Sequence, residues 1–465
     1  MNKYRISLKP RRVSPIKTKY RRIKTAIPSP SFVRNFSKLS KYEPPLLSEM
    51  WGKLPVCWDR AVDFQVFDQD GNCWIDFTSG IFVANSGHAN PRIISALKRQ
   101  LAKPLLHSFT YVTEIRAKFL KKLIEITPAF CQKALLFSAG TEATETAFVL
   151  MKAYGQTINK KKVGIISFRG AMHGVTMAPE MMSGNAETLA IYGYSDPTVF
   201  RLPFPYPWID ASLSGKTRFN KDLRSLVQSG MNPKNIAGFM VEAYRGWGAI
   251  FYPPGYIEAL ADFAKKNKIL ICFDDIQAGF GRTGKMFAYQ HYGVEPDLIC
   301  AGKGMSSSLP FSAVMGKRKI LEAPIGFGAT HSTHSGNPLS CVAGLANLEA
   351  IERGRLVEEA AKKGKILFAS LNGLKKKFPG HISYILGKGL IAATLFKNPK
   401  NGEPDGEFAS RVCERAMQKG LLMVHTGRES IKIAPPLTIP VTALKEGIKV
   451  LEESILEIDR ENLNT

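Results

Sequence analysis

The sequence predicts an α/β protein with a large domain on a mainly parallel sheet and a smaller α+β domain. Three observations carry that prediction. The chain has 465 residues, enough for two or three domains with sizeable cores. Between about residues 130 and 315, short apolar runs alternate with helical segments, as expected of parallel strands covered on both faces. Beyond about residue 335 the pattern changes to a long helical stretch, then short strands and a closing helix.

Taken in order, residues 1–42 stand apart as a basic N-terminal extension. Residues 43–100 form an N-terminal segment of the small domain, with a hairpin over 64–76 turning at Asp70-Gly71 and a helix near 91–100. The large domain spans 101–335. Its expected strands are 133–137 (KALLF), 163–168 (VGIISF), 236–241 (IAGFMV), 269–273 (ILICF), 297–300 (DLIC) and 312–315 (SAVM), with helices over 142–153 and 255–266 among them. The C-terminal small domain, 336–465, holds a helix over 341–372, short strands in 381–396, 421–424 and 430–433, and the closing helix.

Composition narrows the function classes. The chain is 45% hydrophobic and 22% charged, which excludes global disorder and fibrous repeats. It carries 64 Lys and Arg against 39 Asp and Glu, a net charge of +25. Thirteen of those cations precede the first acid, Glu43, so the remaining 423 residues carry only +12. The excess is largely a property of the first 42 residues, which read as a solvated extension, a basic binding arm or a transit peptide. No run of 18 apolar residues and no secretory pattern occurs. The seven cysteines are dispersed without a CxxC, as in a reducing compartment. A cytoplasmic protein with neither a membrane nor a nucleic-acid partner is expected.

Two motifs mislead. Gly279 to Gly284 (GFGRTG) fits GxGxxG, but it follows a polar DDIQA rather than a strand, and Met286 stands where a P-loop needs Ser or Thr. His331 and His334 lack the Cys or acid companions of a metal site, so no metal is expected.

A different constellation carries chemistry. Ser138-Ala139-Gly140-Thr141-Glu142 follows a strand and opens a helix, a turn suited to a phosphate. Asp274 and Asp275 end an apolar strand, where ligands bind in such sheets, and alternation sends only one of them into a site. Lys303 lies between Gly302 and Gly304 after another apolar strand, and desolvation there would make it a nucleophilic amine. Each feature alone has an ordinary structural explanation. Together they are what pyridoxal phosphate requires: an amine for the aldehyde, a carboxylate for the ring nitrogen and a cradle for the phosphate.

From about Pro45 to Pro436 the sequence resembles the class III, ornithine/4-aminobutyrate type, pyridoxal-phosphate-dependent aminotransferases of fold type I. The resemblance rests on DGNCWIDFTSGIFVANSGH (70–88), SAGTEATE (138–145), FRGAMHGVT (168–176), VEAYRGWGA (241–249), DDIQAGFGRTGK (274–285), PDLICAGKG (296–304), HSTHSGNP (331–338) and IKIAPPLT (431–438). It implies a ping-pong transaminase that moves an amino group from an amino acid or ω-amine donor to an α-keto acid. It further implies that Lys303 is the Schiff-base lysine and proton shuttle, that Asp274 pairs with the pyridine nitrogen, and that Gln277 reaches the ring hydroxyl. Gly140 and Thr141 would bind the phosphate, joined by Thr333 of a neighbouring subunit, which implies a homodimer with shared sites. Met172 and His173 fall among the cofactor contacts, and Glu242 lines the pocket as a catalytic residue.

Departures from the family pattern bear on specificity. Met172 stands where a stacking Tyr or Phe is usual; a thioether still packs against a ring. Trp247 replaces a glutamate that masks an arginine, and Lys432 replaces that arginine, so a point charge stands where the family has a bidentate fork. Arg428 offers a substitute cation. Ile81 matches the 4-aminobutyrate enzymes. A racemase or epimerase on the same fold, and a non-catalytic basic nucleic-acid-binding protein on a degenerate scaffold, are the alternative readings.

Overall fold

The computed structural model describes residues 7–44, 54–323 and 331–463. Its centre is a seven-stranded sheet in the order Lys133–Phe137, Ser312–Gly316, Leu298–Ala301, Leu270–Asp274, Ile236–Glu242, Gly164–Phe168, Val199–Leu202. Ser312–Gly316 runs antiparallel to both neighbours and the other pairings are parallel. Residues alternate between two cores: Phe239, Val241, Ile271 and Phe273 face one, while Met240, Leu270, Cys272 and Cys300 face the other. Burial on both faces is why these strands read as continuous apolar runs. Helix Gly140–Ile158 covers the second core with Ala143, Ala147, Leu150 and Met151, and Tyr256–Asn267 covers the first with Tyr256, Ile257 and Leu260.

The register aligns the chemistry. Asp274 pairs directly with Glu242 on one side and Cys300 on the other, so the carboxyl ends of three parallel strands meet along one edge. Lys303 lies three residues beyond Cys300 on that edge.

Two smaller sheets flank this unit. One runs Ile16–Lys17, Arg22–Ile23, Cys73–Asp76, Gln65–Phe67, Arg60–Val62, with Leu421–Leu422 added parallel to Cys73–Asp76. The other is antiparallel: Ile382–Lys388, Ile391–Phe396, Ser430–Ile433, Val424–His425.

Several details differ from the sequence expectation. The edge strand Val199–Leu202 (VFRL) is half-exposed and carries Arg201, so it lacks an apolar run. The expected helix 341–372 is two helices, Pro338–Arg353 and Leu356–Lys377, broken where Arg355 takes a positive φ of 49°. The segment 421–424 divides between the two small sheets. Helix Gly406–Gln418, unforeseen, is capped by Asp405, whose side chain accepts the Phe408 N–H.

The basic N-terminal segment is not a solvated appendage in its described part. Ile23 and Ile27 are buried with Val66, Trp74, Met417 and Leu422. Arg21 pairs with Glu446 at 2.7 Å, and Tyr20 Oη lies 2.7 Å from Thr442 Oγ1. Composition alone conceals this, because the apolar residues that dock are spaced singly among the cations.

Candidate active site

The Lys303 turn is held rigidly. Gly304 has no room for a side chain, since a Cβ there would lie 2.3 Å from Asn85 Nδ2. Asn347 Nδ2 donates to the carbonyls of Gly304 at 2.8 Å and Met305 at 2.9 Å. Lys303 itself sits at a positive φ of 43°, a conformation costly for a side chain and found where surroundings over-determine it. Burial pulls its amine below the ordinary lysine pKa, and the Asp274 carboxylate opposes that shift.

Asp274 is oriented from two sides. Its Oδ2 lies 2.9 Å from His173 Nδ1, and its Oδ1 accepts the Ile276 N–H at 3.1 Å. Asp275 points elsewhere, accepting the backbone N–H groups of Ala288 and Tyr289, and burial pushes its pKa up to about 7. The expected division between the adjacent acids is therefore present. His173 has no exposed side-chain surface, so it reaches the site only through Asp274.

At the start of helix Gly140–Ile158, the Glu142 carboxylate accepts the N–H groups of Ser138 and Ala139 at 2.9 and 2.7 Å. Gly140 and Thr141 stand in the first turn, whose N–H groups have no intrahelical acceptor. Thr141 Oγ1 lies 2.7 Å from Thr176 Oγ1, and Gly174 packs so closely that a Cβ would fall 2.2 Å from Thr141 Oγ1.

Around Gly246 the remaining residues converge. Its N–H donates to Glu242 Oε1 at 3.2 Å, its carbonyl accepts from Lys432 Nζ at 3.0 Å, and a Cβ there would lie 3.8 Å from Gln277 Oε1. Gln277 Oε1 accepts from Tyr244 Oη at 3.2 Å. Lys432 Nζ lies 4.3 Å from the Phe82 ring centre, and burial pulls its pKa to about 7, with Lys303 pushing the same way. Trp247 donates to Tyr206 Oη at 3.2 Å and carries the Arg428 guanidinium 4.0 Å above its ring. Ile81, 43% exposed, lines a cavity of about 300 Å³ with Leu8, Phe32, Phe36 and Trp58.

The fold thus brings Lys303, Asp274, Glu242, His173, Gln277, Trp247, Arg428 and Lys432 to one edge of the sheet, with Gly140 and Thr141 opening the helix beside it. Met172 is 62% exposed and Thr333 is exposed; among the described residues neither hydrogen-bonds to the other expected site residues. Asn85, Asn347 and Arg245 escaped sequence reasoning. Only Arg245 had a local signal, an opposite charge three residues after Glu242.

The misleading GFGRTG stretch has a structural role. Arg282 is fully buried and donates to the carbonyls of Leu390 and Pro435, to Ser79 Oγ and to Asn85 Oδ1. Burial pulls its pKa down to about 10. Among the described residues no cluster of three metal-ligating side chains occurs.

The pieces fit pyridoxal phosphate. A desolvated amine that forms no ion pair among the described residues, an oriented strand-end carboxylate and a glycine-tight helix start are the three holds that cofactor needs. They define a cofactor-dependent lysine enzyme. The chain belongs to the class-III aminotransferases, whose family model matches residues 48–455. It is 31% identical to a 4-aminobutyrate aminotransferase of Mycobacterium tuberculosis, covering 93% of this chain and 97% of that one. It is 30% identical to a mitochondrial acetylornithine aminotransferase of Candida glabrata, covering 87% and 91%. Among solved structures, a thermostable omega transaminase 6-fold mutant from Pseudomonas jessenii superposes with a TM-score of 0.82 at 25% identity, covering 90% and 98%. The protein is a pyridoxal-phosphate-dependent transaminase.

Proposed function

We propose that the chain transfers an amino group from an ω-amino acid or amine of 4-aminobutyrate type to an α-keto acid, working as a cytoplasmic homodimer. The observation that carries this reading is Lys303, a desolvated lysine locked in a strained turn beside Asp274. In it, residues 101–335 form the cofactor domain, and 43–100 with 336–465 form the small domain.

When bound, the cofactor supplies an aldehyde that takes up amino groups and a ring that withdraws electrons from the reacting carbon. The protein's part is to position and to move protons. Lys303 would hold the cofactor through its amine, and the same amine would carry the proton at the donor's reacting carbon. Its lowered pKa leaves more of the amine neutral and able to accept that proton. Asp274, fixed by His173 and the Ile276 amide, holds a proton on the ring nitrogen. Gly140 and Thr141 hold the phosphate with Thr333 of the partner subunit. Gln277 and Met172 frame the ring, while Glu242 lines the pocket. Ile81, Trp247, Arg428 and Lys432 meet the substrate. The exposure of Thr333 in the single chain supports a shared site.

The test is the visible absorption of the purified protein with a panel of amines. A 4-aminobutyrate-type donor should shift the cofactor band and an α-keto acid should reverse the shift. Racemisation of an amino acid without any keto-acid acceptor would instead favour the racemase reading.

A further inference from the structure

Helix Pro30–Leu39 turns its apolar side to a cavity rather than to the core. Phe32, Phe36 and Leu39 recur at i, i+4 and i+7, the spacing of one helix face, yet Ser31 is the helix's only buried residue. The Phe32 and Phe36 rings stack at 5.2 Å, and all three side chains line the cavity of about 300 Å³ that Ile81 also lines. Another side of the helix fixes it in place. The Ser31 N–H donates to Asp70 Oδ2 at 2.8 Å, Arg34 to Gln69 Oε1 at 3.2 Å, and Asn35 Nδ2 to Cys57 Sγ at 3.3 Å.

The facing wall is a strained turn. Ser79, Gly80, Ile81 and Phe82 take φ values of 49°, 59°, 64° and 68° in succession. Such a left-handed run is costly for residues with a side chain, most of all for a β-branched one such as Ile81, and it persists only where contacts impose it. Here they do: Ser79 Oγ donates to the Ala434 carbonyl at 2.6 Å, Thr78 Oγ1 accepts the Gly80 N–H at 3.0 Å, and Asp76 Oδ1 accepts the Thr78 N–H at 2.7 Å. Consecutive side chains are thereby sent to different places. Phe82 is 1% exposed with its ring centre 4.3 Å from Lys432 Nζ, whereas Ile81 reaches the cavity. One turn joins the active-site edge to the cavity. Among the described residues lining it, Glu43 alone is charged, so a carboxylate is repelled there and an uncharged apolar group is suited to it.

We propose that helix Pro30–Leu39 and Ile81 form a subsite for the uncharged apolar tail of the amino donor, with Phe36 and Leu39 as specificity-determining residues. This rests on the transaminase reading of the site and names its donor class, primary amines with an extended alkyl or aryl tail. The helix lies before residues 48–455, so this wall stands outside the stretch on which the family assignment rests.

The test begins with 2-phenylethanol, which has neither amine nor carbonyl and cannot transaminate, titrated into the cofactor-loaded protein and followed by broadening of its NMR lines. Leu39→Trp, which fills the cavity from a half-exposed helix end, should weaken binding by about tenfold or more, and Phe36→Ala, which removes one ring, by about fivefold. Val33→Ala, on the same helix but off the cavity lining, should bind as wild type. With amines as donors, both cavity variants should discriminate against hexylamine relative to propylamine by similar factors, through KM rather than kcat.

Alcohol binding that is the same in Leu39→Trp and wild type would overturn the proposal. So would an equal effect on hexylamine and propylamine, which makes the cavity a site apart from the donor. A preference for 1,6-diaminohexane over hexylamine also refutes it, because Glu43 would then be reading a second ammonium. If Leu39→Trp does not fold, Phe36→Ala decides by the same measurements. Failure of the transaminase reading looks different, as a cofactor band that no amine shifts, whatever the alcohol does.

Discussion

Lys303 and Lys432 are two desolvated amines in one site with opposite expected consequences. Lys303→Ala should abolish the cofactor band that responds to amines, and a variant that kept the same band would refute its role. For Lys432 the prediction is one of linkage. Its folded pKa is about 7 against an ordinary 10.5, so between those values the unfolded chain binds a proton that the folded chain does not. The cost of burying the charged form is therefore full below pH 7 and fades as pH rises towards 10.5. Lys432→Met should stabilise the protein by about 2 kcal/mol at mildly acidic pH and by less in alkali, as thermal or urea unfolding at two pH values would show.

At the scale of elements, the most consequential join is Arg282, which ties the loop after Leu270–Asp274 to residues 79, 85, 390 and 435. Replacing it with methionine strips four buried acceptors of a charged donor, and should cost about 3–5 kcal/mol of stability by chemical denaturation. Nothing in GFGRTG announces those acceptors, which lie as far as 203 residues away in sequence. The strands that were legible, such as ILICF, owe that to burial on both faces; VFRL was not, because its middle residues are only half-buried and include Arg201. Lys303 and Asp274 were readable because glycine flanks and strand ends are local signals. The meeting of Arg245, Glu242 and Lys432 was not readable, since it depends on a C-terminal strand folding back over Gly246. The Gly354-Arg355 break was likewise hidden, because the side chains on either side suit a helix and only the backbone of Arg355 departs from it.

Over the whole molecule, the charge of +25 changes meaning. Its largest concentration lies in a segment whose apolar residues are built into the small sheet, so a chain beginning at residue 30 would lose Ile23 and Ile27 from the cluster around Trp74. At about 2–3 kcal/mol for each buried isoleucine, that truncation should lower the unfolding midpoint clearly. Sedimentation should give a mass near twice 51.4 kDa if the exposed Thr333 serves a partner's site.

The Trp74 cluster also sets an order of events. Trp74 donates its indole N–H to the carbonyl of Met417 at 2.8 Å, and Leu421–Leu422 supplies the strand that runs beside Cys73–Asp76. On the ribosome, the first strands emerge more than 340 residues before the partners that close them. Until then their apolar face is unsealed and their strand edge unpaired, the condition in which nascent chains recruit chaperones or aggregate. The sheet around Trp74 is begun early and closed late.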